Sequence, residues 1–289
     1  MACTDDTPVF QKQGFLNEEF RLFHLRDESS PPYDFHYHDF LKIMVLLSGK
    51  VTYVIEGRSY PLAPLDMVLV DKGQIHRPEA DPSVPYERVI LYLSPAFMSA
   101  HSSADSRLDT CFSTAGYRHS QVVRLKEDAR RPLLALLTRL EESVYRKNRD
   151  FAAPLYSSLL CLEFLVELNR ACLTSDSQYI PTGSLDYRVS GLITYINDHL
   201  NEDLNISLLA SCCYLSPYHM MRLFKEQTGC TIGNYITEKR LMKARSLLAE
   251  GTGATQVCFL CGFKNYSSFL KAYKKRFQEL PKRKKTRSL

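Results

Sequence analysis

The stretch LSPYHMMRLFKEQTG, residues 215–229, opens on Ser-Pro, closes on Thr-Gly and carries apolar residues at helical spacing between them. Ser216 is a favoured N-cap and Pro217 a favoured first helical residue, so a short helix is predicted to begin there and stop at Gly229. Met220, Leu223 and Phe224 fall at i, i+3 and i+4 and supply its buried side. Tyr218, Met221, Arg222 and Lys225 are left on the outer side, where an ordinary helix meets water. Upstream, ISLLASCCYLS spaces Leu208, Leu209, Cys212 and Leu215 for a short buried helix, and Ala210 and Ser211 let a second helix cross it closely. The pair has the anatomy of a helix-turn-helix, whose second helix lies in the DNA major groove. Arg222 suits a bidentate contact to guanine O6/N7, and Met221 or Tyr218 suits a thymine methyl. Taken alone, the segment also fits an amphipathic helix with a solvated face.

The next segments narrow the choice. IGNYITEKRLMKARSLLAE, 232–250, is a long helix with Tyr235, Ile236, Leu241, Ala244, Leu247 and Leu248 on its inner stripe. ATQVCFLCGFKNYSSFLKAYKKRF follows at 254–277, with a turn at Gly262-Phe263, a cap at Asn265 and a buried face of Phe269, Leu270 and Tyr273. Its outer face shows Tyr266, Ser267, Lys271, Lys274 and Lys275. A long helix of about 18 residues spans roughly 27 Å. That rod suits two reading helices about one DNA turn, near 34 Å, apart. Charge agrees: residues 186–289 hold 17 Lys/Arg against 8 Asp/Glu, whereas residues 1–185 hold 20 against 24. A basic third on an acidic remainder points to a polyanion met by one part only.

The whole chain of 289 residues suggests two domains, with 45% hydrophobic and 24% charged residues as in soluble globular proteins. No apolar run reaches the roughly 18 residues of a membrane span, so no membrane partner is expected. The start, MACTDDTPVFQKQGF, lacks an apolar signal core, and nine cysteines without framework spacing read as reduced thiols. Both point to the cytoplasm. Cys258-x-x-Cys261 and Cys212-Cys213 sit where small buried helix residues are wanted, and no partner pair completes a zinc spacing.

Residues 9–95 read as closely spaced strands. LKIMVLLSGKVTYVIEG has an apolar run, a turn at Ser48-Gly49, then an alternation of Val51, Tyr53 and Ile55, before a further turn at Glu56-Gly57. YPLAPLDMVLV and YERVILYL supply more strands, which suggests a small antiparallel barrel or sandwich. From 127 to 173 the period changes to helical. Leu133, Leu136, Leu137, Leu140 and Val144 share one face, and LYSSLLCLEFLVELNRACL is apolar over most of its circumference. Its surplus apolar surface packs on the barrel or forms a dimer interface. TSDSQYIPTGSL, 174–185, has the polar, Pro- and Gly-containing composition of a linker.

With these residues assembled, the C-terminal part resembles the AraC/XylS transcription regulators through LLA (208–210), LSPYHMMRLFKEQTG, NYI (234–236), RLMKARSLL (240–248) and GFKNYSSFLKAYKKRF (262–277). The resemblance implies two helix-turn-helix subdomains on one long helix. It implies base contacts by Tyr218, Met221 and Arg222, then by Tyr266, Ser267, Ser268 and Lys271, with Lys225, Lys274 and Lys275 at phosphates. The ending departs from the family pattern: Gln278-Glu279-Leu280-Pro281 and Lys284-Lys285 replace the usual residues. HYHDFLKIMVLLSG (36–49) and LDMVLVDKGQIH (65–76) resemble the two cupin motifs, which implies that His36, His38 and His76 converge inside the barrel. Lys42 replaces the usual carboxylate ligand, so these groups are read as a pocket for an organic ligand, with Tyr53 and Asp66 as further candidates, and not as a metal site.

The expected fold is therefore α+β: a cupin-like antiparallel β-barrel with a helical hairpin (1–173, hairpin 127–173), a linker (174–185), then an all-α double helix-turn-helix domain (186–289). The expected function is a bacterial, sequence-specific DNA-binding regulator, not an enzyme, that needs no cofactor. Its expected partners are double-stranded DNA, a small-molecule effector of sugar or related type, a second copy as a homodimer, and RNA polymerase if it activates. The alternatives are a metal-dependent cupin enzyme tethered to DNA, against which Lys42 speaks, and a sequence-tolerant architectural protein driven by the basic tail.

Overall fold

The computed structural model describes residues 11–12, 16, 18–145, 151–182, 186–277 and 279–282. The predicted tail beyond Lys282, Gln278 and the end of the linker at 183–185 lie outside them. Contacts divide the chain at Ser184/Leu185 into two units.

The first unit begins with β1 (Gln11–Lys12), β2 (Phe20–Asp27), β3 (His36–Tyr37), β4 (Leu41–Ser48), β5 (Val51–Ile55), β6 (Arg58–Pro61), β7 (Met67–Val70), β8 (His76–Ala80) and β9 (Tyr86–Leu93). Then come α1 (Pro95–Ala100), α2 (Thr110–Tyr117), β10 (Val122–Leu125), α3 (Glu127–Tyr145), α4 (Ala153–Leu173) and β11 (Ser177–Tyr179). The strands form two sheets, ordered β1-β3-β8-β5-β6 and β11-β10-β7-β4-β9-β2. Every pairing is antiparallel except the two-residue match of β1 with β3.

β4 explains why LKIMVLLS is apolar almost without a break. It is a central strand covered on both faces, so the usual polar alternation has no solvent side to mark. Leu41, Ile43 and Val45 pack toward the helices with Phe112, Leu137, Phe164 and Leu168. Met44 and Leu46 point the other way, into a second core between the sheets, with Tyr53, Tyr60, Val68, Tyr86 and Ile90. The order is thus sheet, sheet, helices.

Two expectations are corrected here. The linker read at 174–185 is structured over its first half. β11 pairs with β10, Lys126 N–H donates to the Asp176 carbonyl at 2.8 Å, and Ile180 is buried. Its polar residues fit a sheet edge, which composition alone does not separate from a linker. The second correction lies in the other unit, which holds α5 (Tyr187–Asp198), α6 (Ile206–Cys212), α7 (Pro217–Thr228), α8 (Ile232–Ala249), α9 (Ala254–Leu260) and α10 (Tyr266–Phe277). α6 buries Leu209 and Ala210, with its C-cap Cys213 also buried, and leaves Leu208 and Cys212 exposed. The buried phase is one residue later than predicted, with Leu209 and small Ala210 inside and Leu208 outside.

Candidate nucleic-acid interface and effector pocket

α7 starts where Ser216 accepts the His219 backbone N–H at 3.3 Å and Pro217 occupies the first turn. Met220, Phe224 and Thr228 face inward. Phe224 meets Tyr235 of α8 edge-on, with ring centroids 5.5 Å apart. The opposite face presents Tyr218, 75% exposed, with Met221, Arg222 and Lys225. Arg222 has a loose ion pair to Glu226 at 3.8 Å between two exposed side chains. Such a pair is worth little in water, so the guanidinium can leave it for a stronger partner.

α10 repeats the plan. Asn265 accepts the Ser268 backbone N–H at 2.8 Å, Phe269 and Tyr273 are buried, and Tyr266, Ser267, Ser268, Lys271 and Lys274 are exposed. Lys275, also exposed, lies toward α8, on a groove shared with Thr237, Glu238 and Ala272. Arg276 Nε donates to Glu238 of α8 at 2.6 Å, which ties the second outward helix to the rod.

The turns before the two helices match. Leu215 N–H reaches back to the Ala210 carbonyl at 3.2 Å and Phe263 N–H to that of Cys258 at 3.1 Å. The residue between helix and turn is left-handed in both: Tyr214, φ 54°, and Gly262, φ 79°. A repeat that the sequences hide is plain in the backbone. Cys258 and Cys261 are buried beside the second turn, and burial pushes the Cys261 thiol up to about 11.

Inside the first unit, His36, His38 and His76 converge, with ring centroids 4.4 to 5.1 Å apart. The backbone fixes two of them. His36 Nδ1–H donates to the Asp34 carbonyl and His76 Nδ1–H to the Gln74 carbonyl, each at 2.9 Å. That tautomer leaves the lone pair on Nε2 facing inward. His38 stacks on Phe40 at 4.6 Å. Burial, then the nearby Lys42 charge, pushes His36 down to about 4 and His76 well below its usual value. Lys42 is buried on β4, and its Nζ donates to the Tyr53 hydroxyl at 2.9 Å.

The trio is the one group among the described residues with metal-ligand geometry, its ligand atoms lying within 4.8 Å of one another. The group has no carboxylate to compensate a divalent charge: Lys42 stands beside it instead, and its amine, protonated below about 7, has no lone pair to give in that form. Asp66 is structural. Fully buried, it accepts Arg124 through two bonds of 2.7 and 2.8 Å and the Ala63 N–H at 2.8 Å.

Arg88 was not singled out in the sequence, yet it is buried in this interior. It donates to Asp27 at 2.5 Å and lies over the Tyr86 ring at 4.2 Å. The signal was available: in YERVILYL, Tyr86, Arg88, Ile90 and Tyr92 share one face by strand alternation, and Tyr86 and Ile90 belong to the core between the sheets.

A two-sheet domain with polar groups buried between its sheets, together with two capped helices that carry basic outer faces, defines a ligand-sensing, DNA-binding transcription regulator. The AraC-like ligand binding domain family matches residues 24–164, and a helix-turn-helix domain family matches residues 209–287. The HTH-type transcriptional activator RhaS of Escherichia fergusonii is 24% identical over 248 residues, 86% of this chain and 85% of RhaS. Among solved structures, ToxT from Vibrio cholerae aligns over 91% of this chain and 95% of its own, at 13% identity and TM-score 0.37. The DNA-binding domain of AdpA in complex with a target DNA aligns over 32% of this chain and 84% of its own, at 22% identity and TM-score 0.31. The chain belongs to the AraC/XylS family of transcription regulators, not to an enzyme family. Among the described residues no helix is long and apolar enough to cross a membrane.

Proposed function

We propose that this regulator reads DNA through α7 and α10 in successive major grooves, and that an effector held between the β-sheets shifts its DNA-bound arrangement. The observation that carries the reading is the repeated turn-and-cap geometry ahead of two helices whose outward faces are polar, aromatic and basic. Tyr218, Met221 and Arg222 are assigned to bases, as are Tyr266, Ser267, Ser268 and Lys271. Lys225, Lys274 and Lys275 are assigned to phosphates. Arg222 is the strongest base reader, because its fork matches guanine O6/N7. An effector acts only if it binds one arrangement of the regulator better than the other.

The functional unit is a homodimer in the cytoplasm. Leu155, Leu159, Val166 and Leu173 of α4 are exposed, and half-buried Leu162 completes a four-three spacing along them. That seam matches a helix of the same kind, so a second copy of α4 is its natural cover. Activation would add a contact with RNA polymerase.

The test is selection of bound fragments from genomic DNA by purified protein, followed by titration of Arg222→Ala and Lys274→Ala. Arg222→Ala is expected to lose about 1–3 kcal/mol at the selected site and relax one base pair. Lys274→Ala is expected to weaken all sequences alike and reduce the salt slope by about one unit. Equal losses on selected and random DNA for both variants would reject this division of roles.

A further inference from the structure

The interior between the sheets holds a buried amine with no counter-ion among the described residues. Arg88 is answered by Asp27. Asp66 is answered by Arg124. Lys42 is 5% exposed, and its hydrogen-bond partner among the described residues is the neutral Tyr53 hydroxyl. Burial holds the Tyr53 phenol well above its ordinary value, so it is no phenolate counter-ion. His36 and His76 beside it are held neutral by burial, and His76 Nε2 is buried without a hydrogen-bond partner among the described residues while its Nδ1 is already used. A buried amine that carries its proton below about 7, beside the unpartnered His76 Nε2, is costly unless one ligand answers both with an anionic and a hydroxylic group.

We propose that the effector is a hydroxy carboxylic acid, such as a sugar acid, whose carboxylate pairs with Lys42 while its hydroxyls donate to the inward Nε2 atoms of His76 and His36. This deepens the sensor reading above and rests on it. A neutral sugar would satisfy the imidazoles but leave the ammonium alone. A simple fatty acid would pair with the ammonium but leave the imidazoles alone. A divalent metal would meet a like charge. Only a ligand that is anionic at one end and hydroxylic at the other answers both sets of groups.

The same groups set a pH signature. Burial, then the Arg88 charge, pushes Lys42 down to about 7. A bound carboxylate favours the protonated amine, so acid binding is expected to weaken as pH rises above about 7. The other ionisable groups around it are Tyr53, Arg88 with Asp27, and the histidines. His36 and His76 are neutral throughout that range.

The experiment uses the full-length protein and matched pairs that differ at one carbon: galacturonate with galactose, glucuronate with glucose, and lactate with propane-1,2-diol. Calorimetric titration at pH 6.5 and 8.5 is expected to find an acid that binds about 10- to 100-fold tighter than its neutral partner. That preference shrinks at the higher pH and vanishes in Lys42→Met, which keeps an unbranched apolar stem without the amine. If Lys42→Met does not fold, the pH dependence of the wild-type preference alone decides. Equal binding of acids and neutral partners, binding by none of the acids, or a pH-independent preference overturns the proposal. So does stoichiometric metal in the purified protein that is lost on His76→Ala. Fragment selection on DNA is read separately, so a failed operator search and a failed acid preference are distinguishable.

Discussion

Tyr214 and Gly262 occupy the same place in two copies of one turn, yet the chain treats them differently. An added Cβ at Gly262 would lie 2.3 Å from the Leu200 carbonyl oxygen and 2.9 Å from the Arg240 guanidinium. Arg240 holds that corner by donating to the Leu200 and Glu202 carbonyls at 2.8 and 2.6 Å. Gly262→Ala therefore meets both a left-handed backbone and a fixed neighbour, and is expected to cost about 3 kcal/mol or more. Tyr214 is 97% exposed, with nothing packed on it to compensate its positive φ. Tyr214→Asn is expected to stabilise the C-terminal unit by about 1 kcal/mol. Denaturant titration of the two variants checks both signs, and a stable Gly262→Ala would refute the crowding argument.

Between elements, His24 is the clearest tie. It stands on β2 and bonds Glu141 of α3 at 2.7 Å and Glu87 of β9 at 2.9 Å. Partial burial pulls its pKa down, but the bonds to Glu141 and Glu87 more than offset this and raise it above the ordinary 6.5. The contribution is full below pH 6.5 and is lost as pH rises through the higher folded value. The expected loss is about 0.5–1 kcal/mol, a fall of a few degrees in Tm. Melting curves of wild type and His24→Gln across pH 6 to 8.5 should converge at the alkaline end. Parallel curves would remove the tie from consideration.

Elements also show what a sequence displays and what it hides. β4, β9, α3, α4 and α7 were legible because long apolar patterns and a Ser-Pro cap are local signals. α1, α2, β10 and β11 were not. Each is short, and β11 is defined by its partner across the sheet rather than by its own polar residues. At the site, the converging histidines were legible through the resemblance to the two cupin motifs, and the outward residues of α7 from helical phase. Arg88 was missed because its burial depends on Asp27, which is distant in sequence and answers its charge.

At the scale of the whole molecule, assembly turns on α4. The seam on α4 carries Leu155 at 61%, Leu159 at 53% and Leu173 at 65% exposure, large apolar side chains in one line. Leu159→Glu places a charge in the middle of it, and is expected to shift sedimentation from dimer to monomer while leaving the fold intact. A wild-type protein that sediments as a monomer at micromolar concentration would reject the seam as an interface.

The return of the chain to the sheet after α4 has a practical outcome for anyone who divides the protein. β11 is the outermost member of the six-stranded sheet, hydrogen-bonded to β10. A fragment severed after Leu173 would strip that border and offer bare amide and carbonyl groups to any passing chain, an invitation to clump. Severing after Thr182 retains the hem, so the sensor half is defined by its last strand and not by its last helix.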